Sequence, residues 1–365
     1  QANQAPFGTV VTTFGNANNN IANPYAGITN PFPAPLNLSA DAVFPNFSTH
    51  QPYSPDFQGP YVQNWNLTLE REVGLGFVGR ASYAASKGTR LGVIREGNAA
   101  VYAPGATTAT TNQRRPYAPA LGSLNFIDPT SNSTFHALQL TADRRFSKGF
   151  SLLMNYQWSK AIDDASDTKL TGAARTNPFD QSFDKGPSNF DRRHIFNLSG
   201  LWELPFQVDN GAKWLVNGWS LNAIASLYDG TPFTVTSGVD NARTGTGGQR
   251  ADLVGNPDLG DGRTRGEQIA QYMDKAAFAP NALGTFGNLG RNTFRGPGFA
   301  SWDFGLFKRF QLTESLGLTY RFEAFNALNR PNLGLPVSAR NNVNFMRITS
   351  ASDTRVLQMA LRMTW

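Results

Sequence analysis

Segments of about ten residues in which apolar side chains occupy every second position recur along the chain. The last segment is the clearest, and one of its two parities carries Leu357, Met359, Leu361, Met363 and Trp365. The other parity carries Gln, Ala, Arg and Thr. A period of two residues is the period of a β-strand and not of a helix, so the segment predicts a strand with one apolar face.

Eight further segments show the same alternation, and in chain order they are 62–72, 77–85, 134–146, 151–159, 196–204, 219–227, 300–306 and 316–323. A tilted strand of about 9 to 11 residues crosses a bilayer. A soluble β-sandwich also alternates, so one segment alone would fit that class equally well. The set as a whole favours a membrane barrel, because the polar parity carries Arg, Glu, Asp and Gln, and Trp or Tyr lies near the ends of apolar rows.

Composition excludes other classes. Charged residues are 16% of the chain, against about 25% in soluble domains. No run approaches the roughly 18 to 20 apolar residues of a membrane-spanning helix. Cysteine is absent, and the net charge of +6 comes from scattered basic residues. We therefore expect an all-β antiparallel transmembrane barrel in the outer membrane, without helical spans and without a nucleic-acid partner.

The connections between the predicted strands alternate in length. The short ones are 74–76, 147–149, 205–217 and 311–315, and the long ones are 86–133, 161–191, 230–299 and 328–353. Outer-membrane barrels have short periplasmic turns and long extracellular loops. This alternation predicts that the short set is periplasmic, that the long set is extracellular, and that Trp365 ends in the periplasm.

Counting back through nine strands places the first 60 residues outside the cell. We expect 1–60 to be an irregular extracellular loop or a truncated N-terminal segment, and 61–365 to form the barrel strands. Bacterial single-chain barrels have even strand numbers, and open edges in hydrocarbon leave costly unpaired backbone groups. The odd count therefore predicts that the chain is the C-terminal portion of a larger barrel.

Several ordered motifs resemble the Oar-like branch of TonB-dependent receptors. They include FHALQLTADRRFSKGFSLLMNYQWSKAIDDASD, FDRRHIFNLSGLWELPF, NGWSLNAIASLYDGTPFTVTSG, GTFGNLGRNTFRGPGFASWDFGLFKRF and YRFEAFNALNRPNLGLP. The resemblance covers roughly residues 60–365. It implies a twenty-two-stranded barrel, preceded by a plug and a carboxypeptidase-regulatory-like sandwich, that takes up a substrate with energy from TonB. It also implies that the last strand, ending at Trp365, is read by the barrel-assembly machinery.

Three groups of polar residues are candidates for function. The predicted lumen-lining residues are Glu203, Asp303, Arg321, Glu323 and Arg362. An acidic group of Asp163, Asp164 and Asp167 lies in a predicted extracellular loop and has the hard oxygen ligands that suit Ca²⁺, although no EF-hand spacing accompanies it. Arg192 and Arg193 lie where a long loop enters a strand, a position suited to an anionic substrate or to lipopolysaccharide headgroups. The alternative for the acidic group is a solvated loop, and the alternative for the two arginines is a solvated strand end.

Catalytic motifs are missing from the sequence. The three histidines His50, His136 and His194 lack metal-ligand spacing, and no nucleophile-elbow motif occurs. We expect neither an enzyme nor a cofactor. Two functional classes remain: a TonB-dependent uptake receptor, and a structural or adhesion protein of the outer membrane. The expected partners are outer-membrane lipid, lipopolysaccharide, the barrel-assembly machinery, and TonB with a plug domain.

Overall fold

Nine long strands form one antiparallel sheet in the computed structural model, which describes residues 46–166, 174–352 and 354–365. In chain order they are Tyr61–Gly74 (β1), Phe77–Glu96 (β2), Leu121–Ser147 (β3), Phe150–Asp163 (β4), His194–Glu203 (β5), Trp219–Tyr228 (β6), Phe299–Gln311 (β7), Gly317–Phe325 (β8) and Val356–Thr364 (β9). Each long strand pairs with the next one along the chain, so β1 and β9 lie at the two edges. The nine predicted strands are confirmed.

The register gives the sheet one continuous apolar face. A representative row of mutually opposed residues is Leu69, Ala81, Leu140, Tyr156, Phe196, Leu227 and Ala300. Towards the last strand, Phe322 lies opposite both Leu306 and Met359. Many of these side chains are open to the surroundings, and Leu361 is 70% exposed. Such a face requires an apolar solvent, because soluble proteins seldom expose apolar patches of more than a few hundred Å².

The opposite face of the sheet carries a ladder of hydrogen-bonded polar side chains. Thr141 Oγ1 donates to Asn155 Oδ1 at 3.0 Å, and Gln139 Nε2 donates to Gln157 Oε1 at 3.0 Å. Ser226 Oγ continues the row by donating to Asn197 Oδ1 at 3.1 Å. Cross-strand pairs of this kind stabilise the register, and they mark this face as the polar one.

Two of the short connections are two-residue hairpin turns. Leu75 and Gly76 join β1 to β2 with φ of 53° and 76°, and Lys148 and Gly149 join β3 to β4 with φ of 51° and 77°. Two consecutive positive φ values define a turn whose twist matches the flanking strands. The other short connections are 204–218, which contains helix α1 (Lys213–Val216), and 312–316. All four lie at the same end of the sheet, as the length alternation predicts.

The first long connection differs from its prediction as a loop over 86–133. Strand β2 continues to Glu96 and β3 begins at Leu121, so much of the segment is a hairpin that extends the sheet. The pairing shifts register between Gly88 and Val93. Period-two alternation is absent there because the hairpin packs against other connections and no longer presents one face to lipid.

Part of the predicted irregular segment 1–60 is also ordered into the sheet. Ser48–His50 forms a short strand that runs parallel to the first residues of β3, with Ser48 opposite Leu121. This edge of β3 is open because β4 pairs with β3 only from Ser133 onward. Residues 1–45 lie outside the described part of the chain.

The third and fourth long connections fold together around a small apolar core. Its buried members are Phe233, Val235, Ala251, Ala277, Phe278, Leu289, Phe345 and Met346. The Tyr272 amide donates to the Met346 carbonyl at 2.7 Å and joins the two connections. The short helix α2 (Arg265–Ala270) starts at a capping box formed by Thr264 and Glu267. These connections, predicted only as long polar loops, form a packed layer.

Helices in the described ranges are short, and none is long and apolar enough to cross a membrane.

Candidate functional site

The five predicted lumen-lining residues all lie on the polar face of the sheet. The register places Arg321 opposite Phe307 and Glu323 opposite Gly305. Arg321 Nη2 donates to Glu323 Oε1 at 2.9 Å. Asp303 accepts a bond from the Asn326 amide at 2.7 Å, while Glu203 and Arg362 occupy the same parity. Their placement on one face is established, and their role as a lumen lining stays a prediction.

The two described members of the acidic group have protein partners. Asp163 forms an ion pair with Arg291. Asp164 accepts bonds from the Ser131 hydroxyl and, at 2.8 Å, from the Asn132 amide, and lies 3.8 Å from Arg175. Asp167 lies outside the described residues. No group of three or more potential metal ligands occurs within the described ranges.

The segment at the start of β5 divides into buried and exposed parts. Asp191 is 2% exposed, pairs with Arg295, and accepts a bond from the Ala161 amide at 2.6 Å. Arg192 donates to the Asp229 carbonyl at 3.2 Å and lies 5.2 Å from the Tyr228 ring centroid. Arg193 is exposed. Of the two arginines predicted to meet an anion, Arg193 is therefore the more open.

Three arginines of the third long connection pair with two carboxylates of the second long connection and with Asp163, the last residue of β4. They pair as Arg250 with Asp184, Arg291 with Asp163, and Arg295 with Asp191. The pairs with Asp184 and Asp191 join the third connection to the second, and the pair with Asp163 joins it to the end of β4, so the three pairs fix the packed layer of long connections to the sheet. Charge-assisted bonds of this kind are stronger than neutral ones and geometrically specific.

The pair of Arg250 and Asp184 is the most enclosed of the three. Its atoms lie 2.9 Å apart, and the side chains are 2% and 5% exposed. Arg250 also donates to the Phe183 carbonyl at 2.6 Å and stacks on the Phe183 ring at 3.6 Å. Burial lowers the pKa of Arg250, and the charge of Asp184 offsets part of that effect. The guanidinium remains charged, since its ordinary pKa lies far above neutrality.

A second buried pair stabilises the extended hairpin of β2 and β3. Glu96 and Arg115 lie 2.9 Å apart and both side chains are 6% exposed. Glu96 also accepts bonds from Ser123 and from the amides of Leu124 and Asn98. Burial alone would raise the pKa of Glu96, but these bonds and the Arg115 charge outweigh it and hold the pKa below the ordinary 4.5.

A polar cavity of about 470 Å³ opens between this hairpin, residues 54–58 and residues 178–181. Inside it, Arg95 Nε donates to Asp128 Oδ2 at 2.5 Å. Arg90 is exposed and lies 5.9 Å from the Tyr61 ring centroid, and Phe179 is 64% exposed. A cation, carboxylates, amides and an aromatic ring meet here, in a volume typical of ligand sites. The arrangement is suited to binding a polar molecule.

Sequence reasoning missed the arginines that organise this layer, namely Arg175, Arg250, Arg291 and Arg295. Arg250, Arg291 and Arg295 lie far from their carboxylates along the chain, Arg175 follows Asp164 by eleven residues, and no spacing pattern marks any of the four. The only available signal is that each is an isolated cation in a connection rich in Gly, Asn and Thr.

An antiparallel sheet with one continuous apolar face, short turns at one end and long packed connections at the other defines an outer-membrane β-barrel. The chain matches the family described as outer membrane beta barrel domain over residues 1–358, and it belongs to that family. Its location is therefore the outer membrane.

Similar solved structures are outer-membrane transporters. The outer membrane transporter YddB from Escherichia coli is 9% identical with a TM-score of 0.46, and the match covers 87% of this chain and 34% of that one. The FrpB iron transporter from Neisseria meningitidis is 10% identical with a TM-score of 0.42, covering 86% and 32%. The ferric-catecholate import receptor Fiu from Escherichia coli is 10% identical with a TM-score of 0.41, covering 85% and 28%.

The chain thus spans about a third of the length of these structures. Among curated proteins, a search found no match.

Proposed function

We propose that the chain supplies barrel wall and extracellular ligand-capture connections to an Oar-like TonB-dependent receptor of a Gram-negative outer membrane. The observation that carries the proposal is the polar cavity between extracellular connections that buried ion pairs hold in place. A fixed binding site reduces the ordering cost of capturing a ligand. The ordered sequence motifs over roughly residues 60–365 support the same family.

Four partners belong to this proposal. TonB would act through a plug domain, and the barrel-assembly machinery would read the exposed last strand, whose outward row includes Leu357, Met359, Leu361 and Met363. Membrane lipid would cover the apolar face, and lipopolysaccharide would meet the exposed Arg193. The protein would work without enzymatic activity and without a cofactor of its own.

Depletion of compounds from the growth medium tests the uptake function. Three strains are compared by mass spectrometry: one with the protein, one without it, and one with the protein but lacking TonB. We expect one class of compound to be depleted only where both the protein and TonB are present. If no compound depends on both, uptake is excluded.

Variants of the cavity connect the uptake function to the site. Arg90→Gln combined with Phe179→Ala removes the open cation and the ring, and we expect depletion to slow about tenfold or more. Phe190→Ala is the matched control, because Phe190 is 67% exposed and does not line the cavity. An equal loss in both variants would argue that the cavity is not the capture site.

Adhesion is a second candidate, and exposed apolar side chains in the long connections favour it. Val343 is 93% exposed, Leu328 65% and Phe190 67%. Such groups suit contact with a surface or a partner protein. Attachment of cells that is lost on deleting the protein but is independent of TonB would favour adhesion over uptake.

A further inference from the structure

Cationic side chains collect at one end of the apolar face, outside the barrel wall. They are Lys87 on β2, Lys160 on β4, Lys185 in the second long connection, and Arg193 next to β5. The register places Lys160 opposite His136 on the parity that carries Trp158, and Lys87 opposite Thr134 one row further out. Lys160 and Lys87 therefore lie on the lipid side of the sheet, at its extracellular end, and Arg193 and Lys185 each line a depression together with one of them.

An aromatic row lies directly below the charges. Tyr83, Leu138, Trp158 and His194 oppose one another across four strands. Trp158 is 55% exposed and Tyr83 is 41% exposed. Trp and Tyr at this position mark the boundary between hydrocarbon and headgroups. The cations therefore lie at the depth of the lipid headgroups.

No ion pair is formed by any of these four cations within the part of the chain that the structure describes. Asp163 and Asp164 line the same cavity as Lys87 and Lys185. Both carboxylates have arginine partners, Arg291 for Asp163 and Arg175 for Asp164. His136 is held by Tyr83, whose hydroxyl lies 2.7 Å from His136 Nδ1. Lys160 and Arg193 are thus left open to an external anion.

Two depressions on this face fit the two parts of a lipid. The upper one has a volume of about 470 Å³ and is lined by Lys160, Arg193, His136, Tyr83 and Trp158. The lower one has a volume of about 820 Å³ and is lined mainly by apolar or small side chains, among them Ala81, Leu140, Ala142, Met154 and Phe196. Leu138 and Leu140 on β3, with Trp158 and Tyr156 on β4, connect the two.

We propose that this surface binds a phosphorylated glycolipid of the outer leaflet, with a phosphate held by Lys160 and Arg193. One acyl chain lies in the lower depression, where small side chains leave room beside the larger ones. Charge complementarity and position in the headgroup layer identify the occupant as a lipid anion. The inference rests on the proposed contact of Arg193 with lipopolysaccharide and names its binding site, and it can fail while uptake stands, because it concerns the outer wall of the barrel and not its extracellular cavity.

Native mass spectrometry of the delipidated protein in detergent tests the site with three probes: bisphosphorylated lipid A, its dephosphorylated form, and glucosamine phosphate. The variant Lys160→Gln with Arg193→Gln is compared with Arg145→Gln with Lys148→Gln, which removes two exposed charges at the opposite end of the sheet. Each Lys or Arg near an anionic lipid surface contributes about 1 kcal/mol, or roughly fivefold in affinity. We expect lipid A to bind roughly thirtyfold more weakly to the first variant and unchanged to the second.

Each outcome decides the proposal. Dephosphorylated lipid that binds as tightly as lipid A, or an equal loss in both variants, overturns the phosphate site. Glucosamine phosphate that binds as tightly as lipid A shows a site for free anions and overturns the lipid. If the double variant lacks heat-modifiable gel mobility, and so has not folded, the single variants Lys160→Gln and Arg193→Gln replace it. Each is expected to lose about fivefold in affinity for lipid A.

Discussion

At the scale of single residues, the packed layer of long connections depends on arginines that neutralise buried carboxylates. A buried pair adds little net stability compared with apolar residues, but removing one partner leaves an uncompensated charge. The pairs therefore hold the connections in fixed positions relative to one another. Exposed pairs such as Glu70 with Arg80, which are 49% and 50% exposed, contribute far less.

Replacing Arg250 with Met tests the tie to Asp184. The change leaves the Asp184 carboxylate, whose side chain is 5% exposed, without its charged partner. We therefore expect the second and third long connections to lose about 3 to 5 kcal/mol of protection against local opening. Hydrogen exchange of their backbone amides measures this loss. The control Arg80→Met breaks an exposed pair and should cost about 0 to 1 kcal/mol. Similar losses in the two variants would contradict the structural role.

Acid should open the extended hairpin through Glu96. Because the folded state lowers the pKa of Glu96 below 4.5, its contribution to stability is present above that pH and is lost as the pH falls through the lower folded value. We expect protease cleavage within 97–120 to increase below about pH 4.5. The variant Glu96→Gln should be cleaved readily at neutral pH and change little with acid. A wild-type hairpin that resists cleavage down to pH 2 would disprove this.

At the scale of elements, each long strand has an apolar face toward lipid and a polar face on the other side of the sheet. In β9, Leu361 faces the apolar side opposite Tyr320, and Gln358 faces the polar side opposite Glu323. Introducing the same charge should therefore change the free energy of unfolding by different amounts on the two faces of one strand.

Arginine substitutions in β9 measure this difference. Leu361→Arg places a charge on the lipid side near the middle of the strand, and we expect a loss of about 2 to 4 kcal/mol in urea unfolding from lipid vesicles. Gln358→Arg faces Glu323 and should cost about 1 kcal/mol or less. The proposed membrane face would be wrong if the two variants unfolded alike.

At the scale of the whole molecule, the chain has a membrane sheet and a packed layer of long connections, and these are stabilised differently. The sheet depends on backbone pairing and lipid contact, whereas the layer has an apolar core of its own. In that core, the Phe278 ring lies 5.6 Å from the Phe294 ring and 5.8 Å from the Phe345 ring.

A core substitution should disorder the layer without unfolding the sheet. Phe278 is 1% exposed, and Phe278→Ala should cost about 3 to 5 kcal/mol. We expect added protease to cut the third and fourth connections on intact cells, while the heat-modifiable mobility of the barrel persists. Leu283→Ala, at a side chain 57% exposed, is the control. Simultaneous loss of gel mobility would show that the two parts are one cooperative unit.

The sequence alone determined the nine strands, their antiparallel order and their two faces. A strand between lipid and water needs apolar and polar side chains at alternate positions. This pattern is visible within a single short segment, such as Leu357 to Trp365. The polar parity of Glu203, Asp303, Arg321, Glu323 and Arg362 follows from the same rule. The alternation of short and long connections follows from the spacing of the strands along the sequence.

Only the tertiary structure decided the rest. Extension of the hairpin to Glu96, the core around Phe278, and the pairing of Asp163 with Arg291 all depend on residues distant along the chain. No repeating sequence pattern marks such contacts, because the path of each folded connection determines which side chains meet. A membrane imposes one solvent on a whole face and so leaves a regular pattern, whereas a packed loop surrounds each residue differently and leaves none.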